Sequence, residues 1–318
     1  MNSHCTLLIL TYKGKHHLEF LLPTVKTAIE NTPNYKIDVL IVDNGQDEAT
    51  RNYVSQNFPD YKFEFSPVND YLFSLNSYVK KLKTEFVFIL NDDMKLDEEV
   101  LNQTLPFLLK DKNLFAVTCN VRDWDDTYTA AFPRKLYYFR GWLSSKWEKE
   151  NYENGLKFTL YAGGGAAVFR TSIFNEIGGF DSLLRPAYGE DLDLGHVAWH
   201  KGYKIIYNPK AILLHREGGT IHNQFKADKL TQNIYKNQIL WMVKNGNYQG
   251  FLLWFLLLLP YRVLTGWKIN KNSYIALLKS LPKIPLALIK RIKKPKPQIS
   301  DKQLMKILNT EYKYETRK

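Results

Sequence analysis

The stretch FVFILNDDMKLDEE, residues 86–99, runs five apolar residues straight into Asn91, Asp92 and Asp93. A short apolar run rich in β-branched and aromatic residues reads as a buried strand. Adjacent carboxylates at the end of such a strand repel each other, so they need a compensating partner. A helix start is one such partner, and capping it takes a single oxygen. A hard divalent cation carrying a phosphate is another, and it takes carboxylates held at a rigid strand end. The stretch alone leaves both readings open.

Outward from it, CTLLILT (5–11), KIDVLIVD (36–43) and LFAVTC (114–119) are further short apolar runs. Between the first two, KHHLEFLLPTVKTAIENTP carries apolar residues at helical spacing and ends at a proline. NSYVKKLKTE before residue 86 and DEEVLNQTLPFLLKD from Asp97 onward predict two more helices. Strands alternating with helices predict an α/β fold with a mostly parallel sheet, whose ligand crevice lies beyond the carboxyl ends of the strands. Asp43 with Asn44, and Asn91 to Asp93, stand at such ends and are expected to converge. Residues 120–160 are polar and aromatic without a period, which predicts a long excursion over the site.

Of 318 residues, 45% are hydrophobic and 24% charged, a globular composition rather than a disordered one. Cys5 and Cys119 offer neither a disulfide framework nor a metal-ligand spacing, and predict a reducing, cytosolic setting. The opening MNSHCTLLILTYKG has no basic start or small-residue cleavage site and reads as a strand. The net charge of +12 is localised: 13 of the 44 Lys and Arg lie between Lys229 and Ser300, where there is no Asp or Glu. The remaining 31 are balanced by 32 acidic residues. This places a boundary near residue 225, between a domain of residues 1–224 and a helical, basic segment of residues 225–318.

Within that segment GFLLWFLLLLPY (250–261) falls short of the roughly 20 apolar residues that span a bilayer. SYIALLKSLPKIPLALIKRIKKPKPQ mixes leucine and isoleucine with lysine, as interfacial helices on anionic membranes do. A core helix with a solvated basic end is the alternative. Nucleic acid is excluded as a partner, because leucines between the lysines suit lipid and no basic reading element is present.

Further on, YAGGGAAVFRTSIFNEIGGFDSLLRPAYGEDLDLGHVAWHKGYKIIYNPKAILLH spans residues 161–215. Gly163, Gly164 and Gly165 allow close backbone approach to a ligand but lack the dinucleotide-binding spacing. Glu190, Asp191 and Asp193 cluster at a predicted helix start, where negative charge is favoured. His215 ends a strand. Taken singly, capping and a satisfied rim histidine account for these residues.

Together, LLILTYKG, DVLIVDNG, FVFILNDDM and the 161–215 segment resemble the family 2 glycosyltransferases, inverting nucleotide-sugar-dependent enzymes with the GT-A fold. The resemblance runs from about residue 5 to about residue 220, with further likeness in QNIYKNQILWMVKNG. Its nearest flavour is the bacterial rhamnosyltransferase-like members that build surface polysaccharides. It implies that Asn91-Asp92-Asp93 occupies the DxD position, with Asp93 coordinating Mg²⁺ or Mn²⁺ on the donor diphosphate and His215 as a metal-associated histidine. Asn91 departs from the Asp usual at the first position. Thr11 and Tyr12 are implied beside the nucleoside, Asp43 facing the base, and Asn44, Asp92, Gly164 and Gly165 in the same donor site. Asp191 falls on the catalytic-base position, with Glu190 alongside.

The chemistry agrees with these roles. A divalent cation stabilises the charge that accumulates on a departing nucleoside diphosphate. A carboxylate on the opposite face activates the attacking hydroxyl. One base, one metal and no second carboxylate nucleophile imply inversion in a single displacement. The implied function is transfer of a sugar, with rhamnose from dTDP-rhamnose the first candidate and UDP-sugars the alternative donors. The implied acceptor is a lipid-linked saccharide, and the implied location is the cytoplasmic face of the cell membrane, held peripherally by its anionic surface. Two other classes compete. A sugar nucleotidyltransferase wants a glycine-rich, basic triphosphate loop after the first strand, of which TYKGKHHLEF is a poor version. A non-catalytic membrane-bound assembly subunit has Asn91 in its favour.

Overall fold

The computed structural model describes residues 3–124, 132–148, 153–216 and 227–313. In chain order its first half comprises β1 (His4–Thr11), α1 (Lys15–Glu30), β2 (Lys36–Asp43), α2 (Glu48–Asn57), β3 (Lys62–Phe65), α3 (Leu75–Lys81), β4 (Phe86–Asn91), β5 (Met94–Leu96), α4 (Leu105–Lys110) and β6 (Leu114–Asp123). The second half adds β7 (Arg134–Phe139), β8 (Trp142–Trp147), β9 (Lys157–Phe158), β10 (Ala166–Arg170), α5 (Thr171–Ile177), α6 (Glu190–His200) and β11 (Lys204–His215). Five helices follow: α7 (Ala227–Asn245), α8 (Phe251–Ile269), α9 (Lys271–Ser280), α10 (Ile284–Ile292) and α11 (Asp301–Ile307).

The main sheet has the order β3-β2-β1-β4-β10-β6-β11-β5, with β9 paired to β11. Strands β3, β2, β1 and β4 are mutually parallel, and β6 and β11 are parallel to each other. Strand β10 runs antiparallel between β4 and β6. The expected mostly parallel α/β sheet is therefore present. Strand β1 lies between β2 and β4, so the chain changes direction there, which is where an open α/β sheet forms its ligand crevice. In register, Thr11 faces Asp43 and Leu10 faces Asn91, so both carboxylate-bearing strand ends reach the same edge.

Helices cover both faces. Leu18, Leu21, Leu22, Val25 and Ala28 of α1 are buried in one core with Leu105 and Leu108 of α4. The opposite core joins Leu8, Val42 and Ile89 of the sheet to Ile239–Val243 of α7, Phe251 and Phe255 of α8, Leu277, Ala287 and Leu304. The C-terminal helices thus complete the second face of the sheet. The boundary expected near residue 225 lies outside the described residues. Among the described residues no helix is long and apolar enough to cross a membrane.

Two sequence expectations need correction. The helix expected from Asp97 begins only at Leu105, because Asp97 folds its carboxylate onto the Glu99 amide (2.9 Å) and the chain runs on in turns. Pro106 then suits the first turn of α4, where its missing N–H costs nothing. The 120–160 excursion is part core: β6 runs on to Asp123, and β7 and β8 form a hairpin whose Leu136 and Leu143 are buried. Its period of two was hidden because the outward positions Tyr137 and Phe139 are aromatic too.

A buried charge cluster locks α7 to α6 and to the loop that carries Asp181. Lys244 lies between Asp181 (2.6 Å) and Asp193 (2.5 Å), Asn245 donates to Asp193 (2.7 Å), and Lys290 reaches Asp181 (2.8 Å). Removing one member of a buried ion pair strands the other charge, at a cost of about 3–5 kcal/mol. Lys244→Met is therefore expected to lower the unfolding free energy by about that amount in denaturant titrations. A loss below about 1 kcal/mol would show the cluster to be solvated.

Candidate active site

Strand ends, a glycine run and the start of α6 build the site. Asn91 donates its amide to the Gly165 carbonyl (3.1 Å), which pins the end of β4 to the Gly163–Gly165 turn. Gly165 is needed for closeness: a Cβ there would stand 2.3 Å from the Asn91 side chain. At Gly164 the corresponding Cβ would lie 3.6 Å from Asp191 Cβ, and the Gly164 amide hydrogen-bonds the Asp191 carboxylate. The contacts thus run from Asn91 through the glycines to Asp191.

The two carboxylates after β4 have different surroundings. Asp92 is buried and accepts from the Thr11 hydroxyl (2.5 Å) and the Tyr12 amide. Burial, opposed by the Thr11 hydrogen bond and reinforced by Asp93, pushes its carboxyl up to about 7. Asp92 and Thr11 are therefore turned toward each other. Asp93 is also buried, yet its Oδ1 has no hydrogen-bond partner among the described residues, and its Oδ2 lies 3.3 Å from His215 Nε2. An orphaned carboxylate oxygen beside an imidazole is a donor set that a hard divalent cation fits. The pair of adjacent carboxylates is tolerable because burial and the neighbouring Asp93 charge keep Asp92 partly protonated at neutral pH.

Asp43 is likewise engaged. It accepts from the backbone amides of Lys13 (3.1 Å), Gly45 (2.7 Å) and Asp47 (2.7 Å), holding the loops after β1 and β2 together. Beside it Asn44 donates to the Tyr71 carbonyl (3.2 Å), while its buried Oδ1 has no hydrogen-bond partner among the described residues. Tyr12 is exposed. Of the five non-glycine residues with positive φ among the described residues, Lys13, Gln46, Tyr71 and Tyr188 border these loops or the start of α6. Such strain concentrates at functional sites.

Glu190 and Asp191 open α6. Burial and the Asp191 charge raise the Glu190 carboxyl, and its Oε2 has no hydrogen-bond partner among the described residues. Burial also raises Asp191, but the Leu192 and Gly164 amides and the Arg134 guanidinium oppose it. The two carboxyls interact and titrate as a pair, both held above their ordinary range, with the Leu192 and Gly164 amides and Arg134 favouring the ionised form of Asp191. Since the Asp191 pKa is raised, the basic form is lost as pH falls through a value above the roughly 3.9 of a free Asp. The acid limb of the rate profile should stand above that value, and Arg134→Met should move it higher still.

Sequence reasoning missed four neighbours. Arg134 and Tyr161 approach Asp191, and Arg134 lay in a segment with no readable period. His17 lies within electrostatic range of Asp93, Arg216 and His215, with burial holding its pKa down. Arg216 follows β11 and donates its amide to the Asp93 carbonyl (3.0 Å). The adjacent histidines after β1 were the one legible signal.

A second donor cluster lies at the other end of α6. His196 and His200 approach Asp301 Oδ1 at 2.8 and 2.9 Å, with all three ligand atoms within 4.8 Å of one another. The Asn247 amide donates to Asp301 Oδ2 (2.6 Å). These are hydrogen-bond separations, and they tie α6 to α11.

Residues 6–178 match the model of glycosyl transferase family 2. The chain belongs to that family, and it is a glycosyltransferase. The glycosyltransferase is 23% identical over 232 residues to N-acetylglucosaminyl-diphospho-decaprenol L-rhamnosyltransferase of Mycobacterium tuberculosis, covering 65% of this chain and 74% of the relative. It is 22% identical over 223 residues to the O-antigen chain rhamnosyltransferase RfbN of Salmonella typhimurium, covering 70% and 69%. The crystal structure of GalNAc-T7 with UDP, GalNAc and Mn²⁺ superposes with a TM-score of 0.59 at 13% identity, over 89% of this chain and 57% of that one. This last likeness shows the fold, and the GT-A expectation stands.

Proposed function

We propose that this glycosyltransferase moves a sugar, with inversion, from a nucleotide-sugar donor to a lipid-linked saccharide in surface-polysaccharide synthesis. Rhamnose from dTDP-rhamnose is the first candidate donor, in view of the rhamnosyltransferase relatives. The observation that carries the reading is the convergence of Asp191, through Gly164 and Gly165, on the strand end bearing Asp93. A base and a diphosphate-side acidic group then face one crevice. Asp93 and His215 would hold Mg²⁺ or Mn²⁺, which when bound stabilises charge on the leaving diphosphate. Asp191 removes the proton of the attacking hydroxyl as that oxygen bonds the anomeric carbon and the glycosyl phosphate bond breaks. Glu190 keeps its proton, and Arg134 holds Asp191 ionised and oriented. Tyr12 and the Asn44 Oδ1 are available to the nucleoside. The rest of the donor contact comes from backbone set in place by Thr11, Asp43 and Asp92.

The acceptor reading has its own support. The C-terminal helices carry exposed Leu253, Leu257, Leu264, Leu286 and Ile292 in an acid-free, lysine-rich stretch, the composition of an element lying on an anionic leaflet. We place the enzyme peripherally on the cytoplasmic face of the membrane. Turnover of dTDP-rhamnose and several UDP-sugars, with and without a lipid-diphosphate saccharide, tests the whole reading. Sugar transfer with release of nucleoside diphosphate is expected. Pyrophosphate release from a nucleoside triphosphate would make it a nucleotidyltransferase, and no turnover of any donor would leave the assembly subunit.

A further inference from the structure

The β7–β8 hairpin rests its tip on α8. Its two-residue turn, Arg140 and Gly141, has φ of 44° and 74°, the mirror-type turn that matches strand twist. Gly141 is required twice over. Besides its φ, a Cβ would stand 2.4 Å from the Phe255 amide nitrogen and 2.6 Å from the Trp254 carbonyl carbon. The tip thus packs backbone to backbone on α8. Arg262 of α8 fastens it by donating to the Arg140 carbonyl (3.0 Å), with its guanidinium over the Trp142 ring (5.2 Å).

Around that junction large apolar side chains face outward. Phe139 is 70% exposed and Tyr137 44%, while Leu136 and Tyr138 turn inward. On α8, Leu253, Leu257 and Tyr261 are each 61% exposed and Leu264 72%, at the spacing of one helix face. Isolated exposed apolar residues are ordinary, but several on two elements packed against each other mark an interaction surface. The charges name the occupant. Arg140 lies over Phe139 (5.2 Å) and Lys146 over Tyr137 (4.8 Å), and α8 belongs to the acid-free stretch from Lys229 to Ser300. Cationic, aromatic and leucine side chains together, without acids, suit the headgroup boundary of an anionic bilayer.

We infer that the hairpin tip and α8 enter one anionic leaflet together, so that the bilayer contact is made by the catalytic half as well as by the C-terminal helices. The inference rests on the proposed lipid-linked acceptor and deepens it. Strand β7 begins at Arg134, beside Asp191, and ends at Phe139. The five residue steps from Arg134 to Phe139 span roughly 17 Å, which sets the scale of the distance from the apolar tip to the base. That reach is on the scale of a diphosphate plus a short saccharide, the part of such an acceptor that stands above the lipid.

Flotation of the full-length protein with phosphatidylglycerol–phosphatidylcholine vesicles tests this, with phosphatidylcholine vesicles for comparison. Phe139→Asp and Leu257→Asp are each expected to weaken binding to the anionic vesicles about tenfold or more. Exposed Leu109 on α4 is the control, and Leu109→Ser should bind as the native protein does. Melting curves and donor turnover with a short soluble acceptor should match the native enzyme in all three. Cys5 and Cys119 are buried, so a polarity-sensitive dye on Phe139→Cys reports the tip alone, and its emission should shift to the blue on anionic vesicles. Loss of binding in Leu257→Asp with native binding in Phe139→Asp and no dye shift would overturn the inference while leaving the membrane reading intact. Native binding by both variants would remove the membrane surface altogether.

Discussion

Asp191→Asn is expected to lower sugar transfer by a factor of roughly 10² or more while leaving donor affinity near native, because general-base catalysis supplies about that much. The substitution keeps the size of the side chain and an acceptor oxygen for the Leu192 amide, so α6 should start where it does now. What disappears is the acceptor of the proton. Glu190→Gln should cost far less, since burial and the Asp191 charge raise the Glu190 carboxyl and the amide mimics its protonated form. The two variants must be compared at a pH above the acid limb, where native Asp191 is fully ionised. Measured kcat with saturating donor and acceptor decides the matter. Near-native turnover by Asp191→Asn, with collapse in Glu190→Gln, would transfer the role of base to Glu190.

The strands and their order of use were readable because each is a short apolar run ending in polar residues, and β1, β2, β4 and β6 begin and end within a few residues of the positions read. The helix α4 was read too early, since acidic residues before an apolar run look like a helix start whether or not the chain turns first. The hairpin was illegible because alternation is detected by polarity, and Tyr137 and Phe139 put apolar groups on both faces. At the site, residue types and order pointed to the crevice, but not to the division of labour within it. Nothing in the letters says that Asp92 binds Thr11 whereas Asp93 keeps a bare oxygen, or that Asp43 is spent on three backbone amides. Those assignments follow from where the β1, β2 and β4 ends meet, a property of the sheet and not of any segment.

The second large effect concerns that bare oxygen. Excess chelator should abolish transfer, and added Mg²⁺ or Mn²⁺ should restore it, because charge building on a departing diphosphate is worth several kcal/mol of stabilisation to a bound cation. Asp93→Ala removes the orphaned Oδ1 together with the partner of His215, and should weaken nucleoside diphosphate binding on the order of tenfold or more while barely changing nucleoside binding. The contrast matters because a cation bridges protein to phosphate and does not touch the base. Asn91 need not be a third ligand: its amide is committed to the Gly165 carbonyl and its side chain fills the space that Gly165 leaves open. Asn91→Asp would therefore place a third carboxylate beside Asp92 and Asp93 against a backbone that cannot retreat. It should raise the metal concentration needed for half-maximal activity or leave it unchanged; a marked fall would make position 91 a ligand after all. Full activity in excess chelator would sink the metal reading, and the neutral Asn91 would then mark a site in which His17, His215 and Arg216 carry the diphosphate charge without a cation.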